Sequence, residues 1–485
     1  MRRRLPGKPK LQSERGGGRT ALCGLAALLL LTGQCCSFFL PSPDNATARR
    51  AVATEAATAT SEVAEWRRPP GAPKPEQRWG LWPALPIAPY ERRVTLRYEV
   101  IPGELWTFEQ KQGILYIHVP IRMTVYRMQT RPGLFVYAPV APTEECVRLL
   151  RELEEQYGEV AYIVLPTVAV EHKYFVGPFS QAFSKAEVWV CPGQFSVPLQ
   201  LPLPLLGFPW DAYVSFPRGS DLPDDWQKVD AQFALAVALG IVVALWSVPS
   251  TVTKAFYIRR LRTMLVTDLV VSVPAEPPEI VAEEPRALAF HARDDATQPL
   301  EASDEALLRG WRRMALFALF FQSSAIEPEP VSKAVEDALN SPAKDLGWGG
   351  LLPWSFREDW KKSFDALRGP FGSGGLVVAP ILSELILNRY LSSDVWPFVE
   401  DIVSSWDFDR VIPAHFEAPV PASPQDFRNA FRRSFGEPKA SGPFDSVASF
   451  LGPPPGPQAL QADLAYLRNI SKSLVAAGVT DPPEI

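Results

Sequence analysis

Six consecutive residues, Thr167-Val168-Ala169-Val170-Glu171-His172, follow the apolar run Ala161-Tyr162-Ile163-Val164-Leu165 and Pro166. A short apolar run stopped by proline reads as a buried β-strand and its end, so an acid and a histidine are delivered to a strand tip. Two more residues of the same character stand at strand ends. Asp268 lies just past Met264-Leu265-Val266, and His415 just past Val411-Ile412-Pro413. Carboxylates and imidazoles are ligands for zinc, iron or manganese, and three or four of them hold one ion. Each residue also has a plainer use. His172, beside Lys173, could be a solvated loop residue; Asp268 could cap a turn; His415 could hydrogen-bond backbone in a core.

The elements that would position these residues alternate strand and helix. Ile114–His118, Met123–Met128 and Leu134–Ala138 read as three strands, with Gly133 at a turn. Pro142–Tyr157 reads as a helix capped by Thr143, with Glu144 and Glu145 in its first turn and Gly158 as its stop. Val160–Leu165 is the next strand, Phe175–Ser184 a short helix, and Glu187–Cys191 a further strand. This order predicts a layered α/β domain. Ala255–Ile258 and Met264–Val266 form a hairpin around Arg259–Arg262, which places Asp268 at a strand end. A helical block follows: Asp304–Phe321, Glu327–Leu339, Phe356–Leu367 and Ala379–Leu391. Trp406–His415 ends in a strand pointing at a histidine, and Gln458–Ala477 is a final amphipathic helix.

The chain has 485 residues, 47% of them hydrophobic, enough for one large or two ordinary domains. Its net charge of −5 gives no electrostatic case for nucleic acid as a partner. Its 50 prolines are spread along the chain and indicate rigid loops. Of five cysteines, Cys23, Cys35 and Cys36 precede the folded part, and Cys146 and Cys191 alone make no disulfide framework.

The N-terminus reads as a composite address. Arg2-Arg3-Arg4 and further basic residues precede the apolar stretch Ala21–Leu31, as in a signal peptide spanning residues 1–37. Phe38-Phe39 then leads an Ala/Thr/Ser-rich stretch with Arg49 and Arg50, as in a transit segment over residues 38–75. Together they resemble the bipartite leader of a complex plastid, so the expected location is the plastid. The alternative is a secreted protein with a disordered start. Residues 66–92 form a Pro-rich linker, and residues 93–480 the domain. Within it, 231–252 carry no charge and are a candidate membrane span of marginal length, the alternative being a buried strand or helix.

Other constellations carry weaker signals. His118 sits on an expected strand in a structural role. His291-Ala292-Arg293-Asp294-Asp295 reads as a surface salt-bridge network, with anion binding as the alternative. Gly369–Gly375 lacks the Gly-Lys-Ser/Thr ending of a phosphate loop and reads as a turn. Trp311, Trp348, Trp354 and Trp360 read as core packing rather than a ligand pocket. There is neither a Gly-x-Ser-x-Gly elbow nor a Cys-x-x-Cys pair.

The ordered set Arg122-Met123-Thr124-Val125, Leu165-Pro166, Glu171-His172, Leu265-Val266-Thr267-Asp268, Phe290–Asp294, Gly310-Trp311, Trp406–Arg410 and Ile412–His415 resembles the metallo-β-lactamase superfamily. Within that superfamily it resembles the plant, algal and cyanobacterial branch known as domain of unknown function 4336. The resemblance implies a four-layer αββα sandwich, with residues 304–391 as a helical insertion. The superfamily signature is His-x-His-x-Asp-His. Here Thr167 and Ala169 stand at its two leading histidines, Glu171 at its acid and His172 at its last histidine. The later histidine of site one falls near Cys191, the bridging acid at Asp268 and the final histidine at His415. Site one is therefore lost, whereas Glu171, His172, Asp268 and His415 retain site two in type.

These readings lead to a plastid metallo-hydrolase-like protein with a degenerate motif, acting on a small molecule or protein partner as a binding or structural protein. One divalent ion, zinc, iron or manganese, or none, is the cofactor expectation. The alternatives are a single-metal hydrolase using Glu171, His172, Asp268 and His415, and a membrane-anchored plastid factor held through 231–252.

Overall fold

The computed structural model describes residues 74–79, 92–114, 116–129, 131–191, 194, 202–212, 229–234, 253–343, 351–369, 374–437 and 458–484. The leader and residues 235–252 of the uncharged run lie outside them. Residues 231–234 of that run belong to a strand, and no helix of the described residues is long and apolar enough to cross a membrane.

The first sheet contains β1 (Leu96–Ile101), β2 (Leu105–Ile114), β3 (Ile117–Arg127), β4 (Leu134–Tyr137), β5 (Val160–Leu165) and β6 (Glu187–Val190), in that spatial order. β1 to β4 pair antiparallel, while β4–β5 and β5–β6 are parallel. The parallel pairs need crossovers. Helix α1 (Glu144–Tyr157) and helix α2 (Val170–Ala182) supply them. Thr143 caps α1 by accepting from the Cys146 amide at 3.1 Å, and Gly158, at φ 100°, ends it.

The second sheet runs β15-β14-β9-β8-β7, built from β7 (Val229–Ala234), β8 (Thr253–Ile258), β9 (Thr263–Val266), β14 (Arg410–Pro413) and β15 (Val420–Pro421). Between β9 and β14 the chain forms two small strand pairs, β10 (Val270–Val271) with β13 (Val377–Val378) and β11 (Ile326–Pro328) with β12 (Trp354–Phe356). The same region carries helices α3 (Glu279–Ala282), α4 (Arg286–Ala292), α5 (Asp304–Phe320), α6 (Val331–Asn340), α7 (Trp360–Leu367), α8 (Pro380–Leu385) and α9 (Trp396–Ser405). Helices α10 (Pro424–Phe435), α11 (Gln458–Asp463) and α12 (Ala465–Ala476) complete the chain.

Strand alternation divides the apolar residues among three cores. On β4, Leu134 and Val136 face α1 and α2, whereas Phe135 and Tyr137 face the second sheet. On β8, Phe256 and Ile258 meet them from the other side, while Ala255 and Tyr257 join Trp311, Met314, Val399 and Phe427 of the outer helices. All four residues of β4 are buried, so the strand serves two interfaces at once. At ~1.5–3 kcal/mol for each large side chain fully buried, these layers are the main stabilising term. Helices, sheet, sheet and helices give the expected αββα sandwich.

Several element expectations need correction. Ile114–His118 is not one strand: Ile114 ends β2, Ile117 and His118 open β3, and Tyr116, at φ 68°, lies between them. The apolar run crosses the turn without punctuation. Conversely β2 carries Glu109, Gln110, Lys111 and Gln112, all buried. That is tolerated because buried polar groups are paired: Gln110 Nε2 donates to Thr95 Oγ1 and to the Ala141 carbonyl. α2 begins at Val170, five residues before the expected Phe175; seven of its 13 residues are buried and only Gln181 is exposed, which blurs the amphipathic period. The expected helix at Glu327 starts only at Val331, after the Ile326–Pro328 strand, and the one at Phe356 only at Trp360. The helix expected over Ala379–Leu391 stops at Leu385. Helices α9 and α10 had no counterpart, although Ser423 and Asp426 form a capping box at α10.

Candidate metal centre

β9 and β14 are parallel, with Val266 opposite Pro413. This register ends both strands at one level, so Asp268 and His415, each two residues further on, come side by side. His415 Nε2 lies 3.1 Å from Asp268 Oδ1. Its Nδ1–H donates to the Pro120 carbonyl on β3 at 2.8 Å, which fixes the tautomer and turns Nε2 toward the acid.

β3 also fixes the backbone on which His415 sits. Arg122, only 2% exposed, donates from Nη1 to the Pro413 carbonyl at 2.5 Å and from Nη2 to the Phe416 carbonyl at 2.7 Å. Its Nε donates to Glu109 at 2.7 Å. Phe416 has φ 59°, a left-handed conformation that a buried clamp of this kind can hold. Nothing in the bare sequence marks Arg122 as the support of His415, because 291 residues separate Arg122 from Pro413.

The third residue arrives from the first sheet. After β5, Thr167 Oγ1 accepts from the Ala169 amide at 3.1 Å, and the Ala169 carbonyl accepts from His172 N and Lys173 N. This local turn opens α2, so Glu171 and His172 lie in its first turn rather than in a solvated loop. His172 is fully buried. Its ring meets that of His415 at 5.2 Å between centroids, tilted by 55°.

One ligand atom each from His172, Asp268 and His415 lie within 4.8 Å of one another. Both ring nitrogens of His172 and Oδ2 of Asp268 are buried without a hydrogen-bond partner. Buried polar atoms are nearly always satisfied, and an unpaired one costs ~1–3 kcal/mol. Two imidazoles and a carboxylate that converge with such atoms fit one divalent ion. Glu171 stays outside this trio. It is half-buried, near enough to feel the charges of Asp268 and His415.

Burial dominates the electrostatics of the site. It pulls the His172 pKa down to about 4 against the attraction of Asp268, so the ring is neutral, the form that ligates. Burial disfavours the charged forms of Asp268 and His415 as well, but their mutual hydrogen bond and Coulomb attraction outweigh it. Asp268 is lowered and His415 raised. Burial, together with the charge of Asp268, pushes Glu171 up to about 7.

Thr167, Ala169 and Cys191 are all fully buried. Gln194 Nε2 donates to the Thr167 carbonyl at 2.9 Å and to the Cys191 carbonyl at 3.2 Å, with Cys191 Sγ at 3.5 Å. This amide ties the Thr167 and Cys191 segments together, and sequence reasoning had not singled out Gln194. Lys173 is 7% exposed, and burial brings its pKa down to about 8.

The chain is thus an αββα sandwich with helices on both outer faces, carrying Asp268 and His415 just past two strand ends and His172 in the first turn of α2. The chain belongs to the family described as domain of unknown function (DUF4336), whose profile matches residues 102–433. No curated protein matches it. Among solved structures, it is similar to a metallo-beta-lactamase from Pontibacter korlensis at 13% identity, over 40% of this chain and 83% of that one, with TM-score 0.27. A putative diflavin flavoprotein A fragment from Nostoc sp. PCC 7120 is 11% identical over 71% and 98%, with TM-score 0.31. The metal-soaked flavodiiron core from Synechocystis sp. PCC6803 is 10% identical over 70% and 61%, with TM-score 0.33. The layer order described above, not these alignments, defines the fold.

Proposed function

We propose that this protein holds one divalent metal ion through His172, Asp268 and His415 and acts in the plastid as a metal-containing binding or structural protein rather than a two-metal hydrolase. The observation that carries the reading is the set of buried, unpartnered atoms on His172 and Asp268 within a trio whose ligand atoms lie within 4.8 Å. An ion there would supply Lewis acidity. The chain's own residues do the rest. Pro120 and Arg122 orient His415, the start of α2 aims His172, and burial keeps His172 unprotonated.

Loss of the site-one histidines argues against chemistry that needs a bridging pair of ions. The burial of His172 (0% exposed) and His415 (8%) argues for a ligand-holding role over turnover of a bulky substrate. A single-metal hydrolase is the second reading, favoured by the trio's having three protein ligands, which leaves a position open in a four-coordinate site.

Metal content of the purified full chain, expressed with zinc, iron and manganese in supply, tests the proposal. One ion per chain is expected, lost in His172→Ala and His415→Ala while both variants stay folded by circular dichroism. Folded wild-type protein without stoichiometric metal refutes it.

A further inference from the structure

Helix α4 and the turn after it place a buried guanidinium that no carboxylate of the described residues meets in an ion pair, Asp295 acting on it only from beyond contact. Arg293 is 2% exposed. Its Nη1 donates to the Ala296 carbonyl at 3.2 Å, while Nε and Nη2 have no acceptor. These two nitrogens share one edge of the guanidinium, the edge that grips a carboxylate or phosphate with two parallel hydrogen bonds. The neighbouring acids are engaged elsewhere. Asp294 accepts from Arg313 Nη2 at 2.6 Å, and Asp295 accepts from the Thr297 amide at 2.8 Å. The surface salt-bridge network expected from the sequence thus reduces to the Arg313–Asp294 pair, and His291 and Arg293 turn inward.

The surroundings are aromatic and rich in donors. The Arg293 guanidinium lies 5.0 Å from the centroid of Phe290, and Trp354 meets the same ring at 6.3 Å. Trp354 also stacks on His291, at 6.1 Å. Trp354 Nε1 and Arg313 Nε are, like the free edge of Arg293, buried without an acceptor. His291 Nε2–H donates to the Tyr116 carbonyl at 3.1 Å, which leaves Nδ1 as a bare acceptor, also unpartnered. The cluster therefore offers several unmet N–H donors and a single unmet acceptor. Water would satisfy donors but bring hydrogens with almost nowhere to go, and it would add nothing to the partial compensation that Asp295 supplies from beyond contact. An oxyanion meets both needs, because it only accepts and it is negative.

We propose that Arg293, with Trp354 and Arg313, forms a buried receptor for the carboxylate or phosphate group of a small molecule, built from residues outside the His172–Asp268–His415 trio.

The test titrates the full chain with inorganic phosphate and, separately, with benzoate, at ionic strength held constant with chloride, and reads thermal unfolding. One or both anions raise the unfolding temperature of the wild type, phosphate alone marking a phosphoryl ligand and benzoate alone a carboxylate. In Arg293→Met the concentration giving the half-maximal shift rises at least about tenfold, the scale of a lost charge-assisted grip. Should that variant not fold, Trp354→Phe keeps the ring, removes one donor and weakens the response several-fold. If neither anion shifts the wild type, or if the foldable variants respond like the wild type, the receptor does not exist.

Discussion

Replacing Arg122 by methionine removes one side chain and unmakes three contacts of the metal centre's frame. Arg122 is 2% exposed and its partner Glu109 is 7% exposed, so the variant leaves a buried carboxylate without its cation. Removing one partner of a buried pair costs about 3–5 kcal/mol. The Pro413 and Phe416 carbonyls lose their donors as well, at about 1 kcal/mol each where water cannot reach them. These terms overlap, and about 4–6 kcal/mol is a reasonable sum, a large part of the ~5–15 kcal/mol that holds a domain together. Urea unfolding of the full chain reads it as a lowered midpoint. The double variant Glu109→Gln, Arg122→Met removes the stranded charge and should recover about 1–2 kcal/mol, since the two single effects are coupled. The freed His415 backbone should also weaken metal binding about 10–100-fold, as loss of an outer support does. Stability within about 1 kcal/mol of wild type, together with unchanged metal affinity, would show that the Arg122 clamp is not what positions His415.

Three further outcomes are expected. Burial pulls the pKa of His291 from 6.5 down to about 3, helped by the charges of Arg313 and Arg293 and opposed by the Tyr116 carbonyl. A histidine that titrates lower when folded contributes fully above pH 6.5 and loses that contribution as the pH falls toward 3, because the unfolded chain takes the proton first. The slope approaches about 1.4 kcal/mol per pH unit, and His291→Phe should flatten it by one proton's worth between about pH 6 and pH 4 in urea titrations; an unchanged slope counts against the assignment. Gly310→Ala places a Cβ 1.9 Å from the Leu288 carbonyl oxygen, so α4 and α5 must part, at a cost of about 1–3 kcal/mol measured by thermal or urea unfolding. A fluorescent reporter fused behind residues 1–75 should accumulate in the plastid, and its appearance outside the cell would exclude the bipartite address.

The strand endings Leu165, Val266 and Pro413 were legible because each apolar run stops at a proline or a polar residue, and the chemistry-bearing residues follow at once. Helix α1 was legible for the same local reason, since Thr143, Glu144 and Gly158 are all end signals. The polar strand β2 was not, because its buried Gln110 and Lys111 are paired by Thr95, Ala141 and Glu284 elsewhere in the chain. The start of α2 was missed because a helix with so little exposed face shows a weak period, so Glu171 and His172 were read as a tip rather than as a first helical turn. Gln194 carried no signal and Arg122 only that of a family motif without a role, since a glutamine or arginine gains a role only from the carbonyls it reaches.

The sequence by itself determined a layered α/β domain and the residue types that follow three strands, because apolar period and terminating residues are local properties, whereas the αββα order came only with the family resemblance. Only the tertiary structure decided which of those residues meet. The parallel register of β9 and β14 brings Asp268 to His415, the first turn of α2 adds His172 from the opposite sheet, and the same turn leaves Glu171 to one side. Convergence across two sheets depends on register and helix phase, which are settled by packing against partners distant in the chain.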